Sequence, residues 1–110
     1  MNYIYKAIVT NVHDGDTITV DIDLGLYVTL RDNKIRLYGI NAPELSNKPL
    51  GQQSTKALAD RILGKEITIQ TFKDSKEKYG RWLGLIFLDG ENINEWLVVN
   101  KFANRYMENK

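Results

Sequence analysis

Apolar and polar residues alternate along much of the first forty positions of this chain. Ile18, Val20 and Ile22 fall on one side of a two-residue period, and Thr17, Thr19, Asp21 and Asp23 on the other. That is the mark of a strand with one face in a core. Ile35 and Leu37 alternate in the same way with Arg36 and Tyr38. Before them, the β-branched and aromatic run over residues 3–12 predicts another strand, with Asp14-Gly15 as the turn that follows it. Leu24-Gly25-Leu26 reads as a bend, because a glycine interrupts the β pattern, and extension resumes over residues 27–30. The polar run Arg31-Asp32-Asn33-Lys34 reads as a turn into a third strand over residues 35–40. Antiparallel pairing would set the start of the second strand beside the end of the third. Asp16 would then lie next to Asn41 and Glu44.

Past Gly39, Ala42-Pro43 ends the extended pattern and delivers a carboxylate at Glu44. Ser, Asn, Lys, Pro and Gly over residues 44–51 predict an exposed loop. A helix is expected over residues 52–63, with Ser54, Ala57, Leu58 and Ile62 on one face and Gly64 where a C-terminal glycine cap belongs. Alternation returns over residues 66–72. A charged connection over residues 73–78 and Tyr79-Gly80-Arg81 then lead to a last strand over residues 82–88. Asp89-Gly90 turns the chain, and Asn94-Glu95 opens a short apolar helix with Trp96, Leu97 and Val98. The order β-β-β-α-β-β-α predicts a mainly β, α+β fold: a five-stranded oligonucleotide-binding (OB-fold) barrel. At 110 residues and 43% hydrophobic content, residues 1–110 read as one domain with one core.

The formal net charge is +1, so the field of the whole molecule does not gather a polyanion, and anion binding must come from locally placed cations. With no cysteine, thiolate metal sites and disulfides are excluded, and a single histidine, His13, cannot form a histidine metal cluster. His13 reads as structural. No run approaches the ~20 apolar residues of a membrane span, and the opening residues lack the apolar core of a signal peptide. The chain as it stands reads as a soluble, cytoplasmic monomer without a membrane partner; a longer precursor would allow secretion.

The corner formed by the paired strands gathers Asp14, Asp16 and Glu44, and three carboxylates at short range call for a compensating cation or protons. A hard ion such as calcium takes roughly 6–8 oxygens, carboxylate, amide and backbone carbonyl alike, and Asp16, Asn41 and the Ala42 carbonyl are of that kind. Asp-Gly is equally an ordinary hairpin turn, so spacing alone leaves both readings open. Arg36 and Arg81 could grip a phosphodiester with their planar forks, or serve as surface ion-pair partners. Tyr38, Tyr79 and Trp82 could stack on bases, or pack half-buried.

Taken together, Asp14-Gly15-Asp16-Thr17, the stretch Arg36-Leu37-Tyr38-Gly39-Ile40-Asn41-Ala42-Pro43-Glu44, Gly51, Tyr79-Gly80-Arg81, Asp89-Gly90 and Ile93-Asn94-Glu95 resemble the staphylococcal nuclease family in content and order. The resemblance implies the same OB-fold barrel and a calcium-dependent phosphodiesterase. Such an enzyme acts on DNA and RNA with little sequence preference and releases 3′-phosphates. Single-stranded or frayed substrate is the expected preference. It further implies Asp16, Asn41 and the backbone carbonyl of Ala42 as metal ligands, with Asp14 behind them. Glu44 would position or deprotonate the attacking water, Arg36 and Arg81 would hold the phosphate, and Lys78 and Tyr79 would lie near the nucleotide. Asn41 stands where the family usually has aspartate, so weaker calcium binding is expected. A non-catalytic module for single-stranded nucleic acid or a protein partner is the alternative. The family's later C-terminal helix is not matched within these residues, and Tyr106 is the candidate for a nucleotide-contacting tyrosine.

Overall fold

The computed structural model describes residues 3–73 and 82–106. Within them, β1 (Tyr3–Asp14), β2 (Thr17–Asp23) and β3 (Thr29–Leu37) form an antiparallel meander. β4 (Ile40–Asn41), α1 (Leu50–Ile62), β5 (Glu66–Lys73) and β6 (Trp82–Leu88) follow. The chain then makes β7 (Glu91–Asn92), α2 (Ile93–Val99) and β8 (Asn104–Arg105). β5 pairs with both β1 and β6, and a parallel pairing of β3 with β6 closes the ring β3-β2-β1-β5-β6. This is the expected five-stranded OB-type barrel with two helices.

Period-two alternation fills the barrel. Val9, Ile18, Val20, Ile35, Leu37, Ile69 and Ile86 are wholly buried, each on the inward face of its strand. Leu58 and Ile62 of α1 and Ile93 and Leu97 of α2 join the same core. α1 lies between the end of β3 and the start of β5 in the chain, and it closes that end of the barrel. The backbone N–H of Gly64, in the left-handed region at φ 77°, donates to the Val9 carbonyl at 2.8 Å and ties the helix terminus to β1. At the other helix, the Asn92 side chain accepts from the Glu95 N–H at 3.0 Å, satisfying one of the donors a helix start leaves open. No helix among the described residues is long and apolar enough to cross a membrane.

The β2–β3 hairpin differs from its sequence reading. The reversal is at residues 24–28, where Gly25, Leu26 and Tyr27 all have positive φ and the Leu24 and Val28 N–H groups donate within the loop. Residues 31–34, expected as a turn, lie inside β3. Asp21 holds them there: its carboxylate accepts from the Asp32 N–H at 2.9 Å and lies 3.6 Å from Arg31. Arg31, Asp32 and Lys34 are exposed and Asn33 is half-buried, so polar residues carry little penalty in the strand.

Candidate nucleic-acid and cation site

The site forms where the β1–β2 turn meets the end of β3. Thr17 pairs with Arg36, and the Leu37 N–H donates to the Asp16 carbonyl at 2.7 Å, fixing Asp16 beside the outward side chain of Arg36. Asp16 is buried, at 7% exposure. Its Oδ1 accepts from the Thr17 hydroxyl at 3.1 Å, and its Oδ2 accepts from the Ala42 N–H at 2.9 Å. A guanidinium supplies the counter-charge: Arg36 Nη2 lies 3.5 Å from Asp16 Oδ2. The same nitrogen donates to the Asn41 Oδ1 at 3.0 Å and the Ile40 carbonyl at 3.2 Å. Below the guanidinium lies the Tyr106 ring, its centroid 5.4 Å from Arg36 Cζ, a cation–π geometry.

Two glycines allow this corner to close. A Cβ on Gly15 would come within 2.8 Å of the Cβ atoms of Ala42 and Ser54, and one on Gly51 would come within 1.6 Å of the Glu44 carbonyl oxygen. The β1–β2 turn thus packs onto α1, and the start of α1 packs onto the Glu44 loop, at distances only glycine permits.

Asp14 and Asp16 meet as the sequence suggests. The Asp14 carboxyl is raised above its ordinary value of 3.8, first by burial and then by Asp16 beside it. One of its oxygens, Oδ1, is buried without a partner. Glu44 does not complete the expected carboxylate trio: no group of three or more His, Asp or Glu side chains is set to hold a metal among the described residues. The physical reason is visible in the corner itself. Glu44 is exposed, and Arg36 rather than a third acid faces Asp16. The donors that remain are hard oxygens, from the crowded Asp14–Asp16 carboxylate pair and from the Asn41 amide. A small, hard divalent cation suits them, because it would relieve the Asp14–Asp16 repulsion and satisfy the orphaned oxygen. It would compete with Arg36 for Asp16 and Asn41.

Lys78, Tyr79 and Arg81 lie outside the described residues. Tyr38 stacks on Phe72 at a ring distance of 4.6 Å, so it packs within the protein. His13 shares a 2.7 Å hydrogen bond with Thr19, a structural role as read.

Sequence reasoning missed Asn94. It is 3% exposed, donates from Nδ2 to the carbonyls of Tyr38 (2.8 Å) and Gly84 (3.0 Å), and accepts from the Ile86 N–H at 3.1 Å. It therefore fastens the chain just beyond Arg36 to β6 and α2. An asparagine inside an apolar helix was the available signal. Likewise the Tyr106 N–H donates to the Gly39 carbonyl and β8 pairs with β4, Asn41 opposite Asn104, so the last described residues brace the Asn41 strand.

The profile of the family described as Staphylococcal nuclease homologue matches residues 34–110. The chain belongs to the staphylococcal nuclease family. It is 32% identical over 114 residues to Endonuclease YhcR of Bacillus subtilis, covering 93% of this chain and 9% of that protein. It is 30% identical over 104 residues to the Thermonuclease of Staphylococcus hyicus (90% and 57%) and 28% over 92 residues to that of Staphylococcus intermedius (79% and 51%). The chain thus spans less than two thirds of each of these family members.

Proposed function

We propose that this chain is a calcium-dependent, sequence-tolerant nuclease that hydrolyses DNA and/or RNA to 3′-phosphate products. The observation that carries the reading is the corner in which Arg36, Asp16 and Asn41 meet within 3.5 Å, in a chain whose relatives are named as endonuclease and thermonucleases. Asp16 and Asn41, with the Ala42 carbonyl, would hold the calcium ion, and Asp14 would support them. When bound, calcium would supply Lewis acidity toward a phosphoryl oxygen. The residues of the chain do the rest. Arg36 turns its fork from Asn41 to the phosphate and stabilises charge that grows on its oxygens. Glu44 takes a proton from water as the water oxygen bonds to phosphorus. The bond from phosphorus to the 5′ oxygen breaks with its electron pair staying on that oxygen, which takes a proton from solvent water and leaves as a hydroxyl. Arg81 would share the phosphate, with Lys78 and Tyr79 near the nucleotide.

One observation favours a second reading. Arg36 already donates to Asn41 and faces Asp16, an arrangement stable without any metal, which suits a catalytically impaired module that only binds single-stranded nucleic acid. Cleavage of a labelled single-stranded DNA across a calcium titration, with chelator and Glu44→Gln controls, separates the two. Calcium-dependent cleavage lost in the variant is the expected result. Folded protein that binds the strand in chelator yet never cleaves it would instead establish the binding module.

A further inference from the structure

α1 closes one end of the barrel; at the other end the described residues line a cavity of about 510 Å³. Its walls continue the inward register of the strands. Tyr5 and Tyr3 extend the series Val9, Ala7 on β1; Thr71 and Lys73 extend Ile67, Ile69 on β5; Asn33 and Trp82 precede Ile35 on β3 and Gly84 on β6. Strand pairing sets Tyr3 beside Thr71, and Lys73 beside Trp82, which is beside Ile35. Positions that hold isoleucine and valine deeper in the barrel hold aromatic rings, an amide, a hydroxyl and an ammonium at the mouth.

The composition selects a ligand. Tyr3 and Tyr5 lie 6.2 Å apart with their rings tilted by 33°, and Tyr3 and Trp82 are 57% and 40% exposed, so flat aromatic surface is presented outward. Lys73 is the one cation and no carboxylate is among the described lining residues. The volume lies within the roughly 300–1,000 Å³ typical of small-molecule sites. The aliphatic Ile22, Leu24 and Leu30 complete the lining; a flat apolar wall, hydrogen-bonding side chains and a single positive charge suit a base with its phosphate. Asn33, at the mouth, and Arg36, at the candidate site, sit three residues apart on β3, about 10 Å at roughly 3.3 Å per residue, a distance that a few linked nucleotides span.

We propose that the mouth of the barrel lined by Tyr3, Tyr5, Lys73 and Trp82 is a second nucleotide subsite, which takes a base and phosphate from a single strand whose other part lies at the Arg36 corner. This rests on the nucleic-acid reading above. The subsite makes affinity depend on strand length.

The test compares a thymidine octanucleotide with a dinucleotide, by competition against a labelled octamer in chelator, for the wild-type chain, Tyr3→Ala/Lys73→Ala, Tyr3→Ala alone and Tyr3→Phe. Both altered side chains are exposed, and circular dichroism checks the fold. Expected is an octamer preference that falls about 5- to 100-fold in the double variant and is kept by Tyr3→Phe, which retains the ring. Loss of Lys73 should also lower the salt dependence of octamer binding by about 0.7 in the log–log slope. An unchanged ratio in the double variant, no octamer preference, or no octamer binding overturns the subsite. Cleavage with calcium, run in parallel, reports on the nuclease reading separately. A lost ratio without cleavage would keep the subsite and remove the enzyme; normal cleavage with an unchanged ratio would do the reverse.

Discussion

The two ends of the barrel are made from the same strands and the same inward-facing register, yet they are built for different work. At the end closed by α1, polar groups are spent largely on one another, Asp14 Oδ1 excepted. Asp16 is held by Thr17, Ala42 and Arg36, Ser54 donates to the Phe102 carbonyl at 2.6 Å, and Asn94 uses both ends of its amide. At the mouth, Tyr3, Lys73 and Trp82 are exposed. Buried polar groups are costly unless paired, and pairing makes them rigid. The closed end therefore suits chemistry that needs fixed geometry, and the mouth suits loose, sequence-tolerant contact.

The comparison can be broken most forcefully at Glu44. Glu44→Gln should lower single-turnover cleavage by about 10²–10⁴-fold, the usual weight of a general base, with an unchanged melting curve because the side chain is exposed. Unchanged turnover would remove Glu44 from the mechanism. Next comes Asn94→Ala, which strips the Ile86 N–H of its acceptor and the Tyr38 carbonyl of the Asn94 donor, while the Gly84 carbonyl keeps the Tyr38 N–H at 2.8 Å; a loss of about 2–3 kcal/mol in denaturant unfolding is expected, whereas Thr71→Val at the mouth should change stability by less than about 0.5 kcal/mol. Similar losses at both positions would erase the distinction between the ends. If Asn41 is a ligand as proposed, Asn41→Asp adds a carboxylate there and should tighten calcium about tenfold by calorimetric titration. No gain would mean that Asn41 is not a ligand.

The smallest effect concerns Asp14. Its carboxyl is raised by burial and by Asp16, so the charged form is disfavoured in the folded protein. That cost is absent below the ordinary value of 3.8, where folded and unfolded chains are both protonated, and fully present above the raised native value. In chelator, Asp14→Asn should raise Tm modestly at neutral pH and leave it unchanged near about pH 3. An equal rise at both pH values would show that charge is not the cause.

Much of this was readable from the residues. Alternation in Thr17–Asp23 and around Arg36 marked the inward positions, and antiparallel pairing brought Asp16 to Ala42 and Asn41. Composition misled where burial was slight: Arg31-Asp32-Asn33-Lys34 looked like a turn because polar residues in a mostly exposed hairpin carry no signal of extension. The carboxylate trio failed because chain proximity does not say which way Glu44 points or that Arg36 would face Asp16. Asn94 and Tyr106 act across contacts of 56 and 70 positions, to Tyr38 and Arg36, which no local pattern encodes. The mouth was hidden for a related reason: a period of two identifies inward residues, but only strand closure shows which of them reach the end opposite α1.

The seam between β3 and β6 consists of Ile35 with Trp82, Arg36 with Leu83 and Leu37 with Gly84. Its two sides are separated by 47 positions, so it can zip only after the ribosome has released Trp82 and its neighbours. The brace on Asn41 waits longer still, for Asn104. During synthesis, then, Asp16, Arg36 and Asn41 emerge early as separate pieces of an unfinished corner. That corner is complete only once Asn104 has been made.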